Sequence, residues 1–155
     1  MAQSKKQVAD GYPLPVYNYR VTIGKVTLGF SDVTGLNVEY EAVTYYHGLS
    51  YATGFKIIPG KRQPIKITLK RGITSASDFL SSWFQNAYAN PLKNAKQDIL
   101  IDLCDANGLA VVRWSVLGAL PVKLDAPAFA ANSNEVAIET LELVAHEIRI
   151  VHNPK

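Results

Sequence analysis

Few residues in this 155-residue chain combine the types and spacing that chemistry needs. Gly48-Leu49-Ser50-Tyr51-Ala52 has part of the outline of a nucleophile elbow, which presents a serine on a strained strand-to-helix turn. It ends in alanine, and nothing marks a following helix or a placed histidine and acid. Gly54 with Gly60-Lys61-Arg62 has part of a phosphate loop. Five residues separate the glycines where that motif has four, and Arg62 stands where a serine or threonine would hold magnesium. His47, His146 and His152 lack metal-ligand spacing, and the lone Cys104 has no partner for a bridge or a zinc site, so it reads as packing. Asp98 and Asp102 share a strand face about 13 Å apart at strand rise, wider than the roughly 5–10 Å between glycosidase carboxylates. They read as residues that keep a strand face soluble. The expectation is a protein without catalytic residues, metal or cofactor.

Composition narrows the class further. Hydrophobic residues make 48% and charged residues 19% of the chain, the balance of one globular domain rather than a disordered segment. No apolar run approaches the roughly 20 residues that cross a bilayer, and Met1 to Asp10 carries charge with no hydrophobic region behind it, so no signal peptide is read and synthesis in the cytosol is expected. The net charge of +3 is too small to imply nucleic acid. The basic stretch from Lys56 to Arg71 lacks the successive aromatics of a single-strand stacking platform. The charges are nevertheless segregated. From Ala42 to Ser77 they are Lys56, Lys61, Arg62, Lys66, Lys70 and Arg71, and from Leu124 to Ile148 they are Asp125, Glu135, Glu139, Glu142 and Glu147. Either these are two solvated sheet faces, or they are complementary surfaces that meet within one chain or between copies.

The elements that would position these residues are mostly strands. Ile65, Ile67 and Leu69 alternate with Lys66, Thr68 and Lys70, a half-buried strand. After Gly72 the period changes: Phe79, Leu80, Trp83, Phe84 and Ala87 form one helical stripe, with Ser75 as expected N-cap and Asn90-Pro91 as the stop. No other segment reads as helix. Tyr17 to Ile23 and Val26 to Phe30 read as a hairpin through Gly24-Lys25, and Gly35 opens an alternating run to Glu41. Asp98 to Leu103, the Asp105-Ala106-Asn107-Gly108 turn and Val111 to Leu117 read as a second hairpin. Pro121 to Ser133 reads as a surface crossing. Glu135 to Ile148 reads as a last strand whose parity changes near Thr140, through a bulge or burial on both faces. The fold class is mainly β: a small barrel or sandwich of two packed antiparallel sheets, with one flanking helix and an extended loop. Residues 1–11 read as a flexible arm, 12–150 as the domain and 151–155 as a tail.

That loop, Val43 to Pro59, holds Tyr45, Tyr46, His47, Tyr51 and Phe55 between Gly48 and Gly54. Long excursions in compact domains are usually functional, and tyrosine is enriched at protein interfaces. It is a candidate contact surface, or a loop folded back on its own sheet. A monomeric sandwich that binds a ligand or partner would bury Tyr45, Tyr46 and Tyr51 around a concave pocket.

Ordered blocks of sequence then carry a resemblance. Tyr12 to Val21, Phe30 to Glu41, Ile58-Pro59-Gly60, Ile67-Thr68-Leu69-Lys70-Arg71-Gly72, Trp83-Phe84, Arg113-Trp114, Leu120-Pro121-Val122-Lys123 and Ser133 to Glu139 are similar to blocks of the tail tube proteins of contractile phages, and of the inner-tube proteins of phage-like extracellular contractile injection systems. The resemblance spans about Tyr12 to Ile148. It implies hexameric rings stacked into a hollow conduit inside a contractile sheath. The implied partners are further copies of the chain, the sheath protein, baseplate or spike-hub proteins, tube initiators or terminators, and cargo in the lumen. It also implies that residues 43–59 reach a neighbouring subunit. The expected contacts are Tyr45, Tyr46, His47, Tyr51 and Phe55, with Lys61 and Arg62 facing Glu135, Glu139 and Glu142 of a neighbour. Tyr46 to Thr53 and Leu92 to Lys96 depart from the family pattern.

Overall fold

Strict alternation in Ile65–Gly72 (β6) builds the middle of the protein: Ile65, Ile67, Leu69 and Arg71 are buried on one face while Lys66 and Lys70 stay in water. In the computed structural model the described residues are 11–76, 78–90 and 95–154. The other strands are β1 (Tyr19–Ile23), β2 (Val26–Leu28), β3 (Asp32–Thr34), β4 (Tyr40–Tyr45), β5 (Lys56–Arg62), β7 (Gln97–Cys104), β8 (Ala110–Asp125), β9 (Ile138–Ala145) and β10 (Glu147–His152). The helices are α1 (Ser50–Thr53) and α2 (Phe79–Ala89).

All pairings are antiparallel, in the order β2-β1-β7-β8-β9-β6-β3 with β10 also on β8. The long β8 joins two layers, since residues 110–119 pair with β7 and residues 120–125 with β9. Val21, Ile23, Ile99, Ile101 and Val116 of one layer meet Ile67, Leu69, Leu141 and Leu143 of the other in a single core cluster. Because β2 and β3 end the ladder without pairing to each other, this is an open sandwich and not a closed barrel.

Helix α2 adds Leu80, Trp83 and Ala87 to the interior. Trp83 Nε1 donates to the Ala95 carbonyl at 3.1 Å and Tyr88 Oη to the Pro121 carbonyl at 2.7 Å. The helix begins at Phe79 with Asp78 at its cap and no side-chain capping bond, so Ser75 is not the N-cap. Burial of the apolar stripe sets this start rather than a local cap. The stop at Asn90 is as expected, while Pro91 lies outside the described residues, as do most of the proposed arm at 1–11 and Leu92 to Asn94.

Two strands run beyond their expected bounds. Pro121 was expected in a surface crossing, yet β8 continues through it to Asp125. Beyond Ala119 this strand has a paired neighbour on β9 only, and a proline without an N–H is tolerated where one side carries no ladder. The last strand changes parity at His146 and not near Thr140, because the chain there passes from β9, paired with residues 120–125, to β10, paired with residues 112–117. The hairpin at Asp105 forms as expected. Asp105 Oδ1 accepts from the N–H groups of Asn107 and Leu109 at 2.9 and 3.0 Å, and Gly108 takes φ +78°.

Candidate functional site

The stretch from Tyr40 to Arg62 is not a loop. It is a β-hairpin, and β4 and β5 pair with each other and with no other strand. At roughly 3.3 Å per residue the seven-residue β5 makes an arm of about 23 Å. Every side-chain-bearing residue of both strands is exposed. A bulge on β5, where Gly60 and Lys61 together face Glu41, bends the arm near its base: a Cβ at Gly60 would lie 2.7 Å from the Glu41 carbonyl oxygen.

The tip is a built structure. His47 N–H donates to Ser50 Oγ at 2.7 Å, Leu49 N–H to His47 Nδ1 at 3.1 Å, and Thr53 Oγ1 to the Leu49 carbonyl at 3.0 Å. These bonds wind α1, the helical turn that periodicity could not show in four residues. Tyr46 and Phe55 stack across the tip with centroids 5.7 Å apart. Tyr46 is 65% and Tyr51 88% exposed, and Tyr45, Leu49, Phe55, Ile57 and Ile58 are exposed as well. Tyr45, Tyr46 and Tyr51 are thus exposed on the arm and not buried around a concave pocket. These exposed apolar side chains make the arm the candidate contact surface.

The expected charged contacts fall in different places. Arg62 holds the arm's base: its Nε donates to Tyr40 Oη at 3.2 Å, its guanidinium lies 5.6 Å from the Tyr40 ring centroid, and Nη1 donates to the His146 carbonyl at 3.4 Å. Lys61 and Glu135 are exposed. The basic and acidic segments meet inside one chain, because β6 lies beside β9. Arg71 sits opposite Glu139 on the buried face, Nε to Oε1 3.6 Å, while Glu142 shares the outer face with Thr68 and Lys123. Glu139 is thus engaged within the subunit.

Asp102 is a second departure. It is 2% exposed, not a solubilising residue, and is held by Arg113 through bonds of 2.7 and 3.0 Å and by Arg20 at 3.1 Å. The three stand in register across β1, β7 and β8, and the two guanidiniums cover the carboxylate. Burial pushes the Asp102 carboxyl up, but the bonds from Arg113 and then Arg20 outweigh it and hold it below the ordinary carboxylate range. A depressed folded value means stability that is present above the unfolded value of about 4 and lost as pH falls through the folded one. Asp102→Ala should lower stability by about 2–3 kcal/mol at pH 7, less than the about 3–5 for a fully buried pair because Arg20 still reaches water. Thermal melts should show this gap undiminished at pH 6 and shrinking as pH falls below about 4; a gap that widens in acid would contradict it.

The other chemistry-bearing residues stay apart. His47 is at the tip, His146 at the arm's base and His152 at the end of β10, and no cluster of three or more metal-ligating side chains occurs among the described residues. Asp98 Oδ1 accepts from Gly118 N–H at 3.0 Å, and Cys104 is buried. Among the described residues no helix is long and apolar enough to cross a membrane.

The chain is similar to known proteins in sequence and fold. Residues 15–149 match the family model described as T4-like virus tail tube protein gp19. A sheath-tube complex of an extracellular contractile injection system, PVC in its extended state, contains a chain that is 30% identical with a TM-score of 0.83, over 97% of this chain and 99% of that one. The tube-terminating cap of the anti-feeding prophage contains one that is 32% identical with a TM-score of 0.79, over 91% and 92%. Hcp1 from Flavobacterium johnsoniae, at 15% identity and a TM-score of 0.53 over 88% and 96%, shares the fold. No curated protein matches the chain.

Proposed function

The chain belongs to the T4-like virus tail tube protein gp19 family, and from that premise we propose that its copies form hexameric rings which stack into the hollow conduit of a contractile particle. As a structural tube subunit of a contractile injection system, it works by fitting copies together and not by making or breaking bonds. Its assembly partners are tube-related. We assign the contractile sheath outside, the baseplate hub and tube initiators or terminators at the ends, and cargo in the lumen, with synthesis in the bacterial cytoplasm before assembly.

The observation that carries this reading is the arm. A hairpin of about 23 Å that exposes apolar side chains on both faces is costly in an isolated monomer and useful when a second copy covers it. Exposed strand edges on β2, β3 and β10 add further surface for lateral contacts. The deciding experiment is negative-stain microscopy with light scattering on the purified chain over a range of concentration and salt. Hollow tubes of uniform width with six-fold end views are expected; a strict monomer that also fails to extend tubes seeded on a baseplate would refute the reading.

Charge between copies can be tested separately from the arm's anchoring. Lys61→Glu, with Arg62 left to hold Tyr40, should lower tube yield several-fold at low salt if Lys61 faces Glu135 of a neighbour. The loss should fade near 1 M salt, where the screening length falls to about 3 Å. A loss independent of salt would place Lys61 away from acidic partners.

A further inference from the structure

Three bonds that shape the tip of the β4–β5 arm run through one histidine. His47 N–H donates to Ser50 Oγ at 2.7 Å, the His47 carbonyl accepts from Ser50 N–H at 2.9 Å, and ring Nδ1 accepts from Leu49 N–H at 3.1 Å. The first two join amide and hydroxyl groups, which do not titrate in this range. The third depends on pH, because a ring nitrogen accepts only while it carries no proton, and the neutral ring therefore holds its proton on Nε2. An imidazolium donates from both nitrogens, so Leu49 N–H would then face a second donor. Histidine is the side chain that changes charge between about pH 5 and 8.

We infer that His47 is an acid-sensitive latch on the arm's tip: near neutral pH its ring holds the turn that starts α1, and protonation releases it. The arm's strands pair only with each other, so among the described residues the groups beside the ring are those of the arm itself. Lys56 stands opposite Tyr45 in the register, two residues from His47, and repels an imidazolium. No acid lies between Ala42 and Arg62 to hold the charged ring in place. Tyr45, its ring centroid 6.0 Å from that of His47 at a 46° tilt, offers the cation a π face but gives Leu49 N–H no acceptor. Tyr46 and Tyr51 are the other titratable groups of the tip, and phenols as a class ionise only near about pH 10. One net hydrogen bond shifts a local equilibrium by about two- to tenfold. What it releases is α1, with Tyr51 at 88% exposure and Leu49, whose carbonyl accepts from the Ala52 and Thr53 N–H groups at 3.0 and 3.1 Å. On the reading that copies assemble into a tube through the arm, acid should weaken tube growth by a comparable factor.

The test follows the ¹⁵N-labelled full chain below the concentration at which it assembles, with the ¹H–¹⁵N heteronuclear NOE of residues 47–53 as the measure of tip order. From about pH 7.5 to 5.5 the parent is expected to lose NOE at Leu49 and Ser50 in step with the His47 ring shifts. His47→Asn sets a non-titrating acceptor two residues before Leu49 N–H, the arrangement of an Asx turn, and should stay ordered throughout. His47→Phe has no acceptor and should be loose throughout. His146 and His152 are present in all three chains, so their titration cancels. Tip order in the parent that stays flat over this range overturns the latch, and so does an Asn variant that loosens in step with the parent. Tube yield at the two pH values is read separately by light scattering. A parent yield that falls about two- to tenfold in acid, with the Asn variant unchanged, carries the latch into assembly. A tip that opens in the monomer with no change in tube yield leaves the latch standing and takes the tip out of the contact.

Discussion

A chain carrying Tyr46→Ser, Tyr51→Ser and Phe55→Ser together should form no tubes at concentrations where the parent chain assembles fully, and should remain a folded monomer. The three rings are exposed in the subunit, so their loss removes no core contact. The fold loses the Tyr46–Phe55 ring pair, about 0.5–1.5 kcal/mol and confined to an arm that no other strand supports. At the contact the balance reverses. Burying a large apolar side chain is worth about 1.5–3 kcal/mol, and aromatic anchors dominate interface energetics. Three of them lost from every repeat of the contact amount to about 4.5–9 kcal/mol, or some 10³–10⁶ in affinity. Light scattering and microscopy read assembly, and a melting curve within a few degrees of the parent reads the fold. Tubes at normal yield would remove the arm from the interface.

The arm also shows where sequence reasoning loses its grip. Period-two alternation exposes a strand because one face is dry and the other wet within the chain. That rule finds β6, with Ile65, Ile67 and Leu69 inside, and the β7–β8 hairpin with its Asp105 turn. It fails for β4 and β5, where Tyr45, Ile57 and Ile58 fall on both faces, since both faces are wet in the subunit and any dry face is supplied by another copy. The aromatic content marks the segment as a candidate contact surface, but its form as a hairpin is not legible from it. Val38 misled in the other direction. The alternation from Leu36 to Glu41 reads as one strand, but the paired residues are Asp32–Thr34 before it and Tyr40–Tyr45 after it. Asp102 was read as solvated because the burying groups, Arg20 and Arg113, come from strands far away in sequence. Tyr19, Leu36 and Trp114, which line one cleft between the two layers, come together only once those layers are folded.

Gly35→Ala is the substitution expected to harm the fold most, at a position that alternation treated as the mere start of a strand. Gly35 has φ +90°, a conformation that side chains rarely adopt, and a Cβ there would lie 2.1 Å from the Lys66 carbonyl oxygen and 3.2 Å from the Ile67 Cα. Those atoms are backbone of β6, the central strand of its layer, and cannot swing aside as a side chain would. The chain after β3 must therefore lift off β6. Val33, paired with Leu69, moves with it, and so does Leu36, opening the core cluster to water. Backbone strain of about 1–2 kcal/mol adds to this disrupted packing, so the total should exceed about 4 kcal/mol, a loss that calls for a specific structural cause. For a chain of this size the melting temperature should fall by roughly 10 °C or more. Gly29→Ala is the matched control, since its Cβ would meet nothing within 4 Å, and it should melt with the parent. Equal melting of the two variants would show that β3 yields without cost.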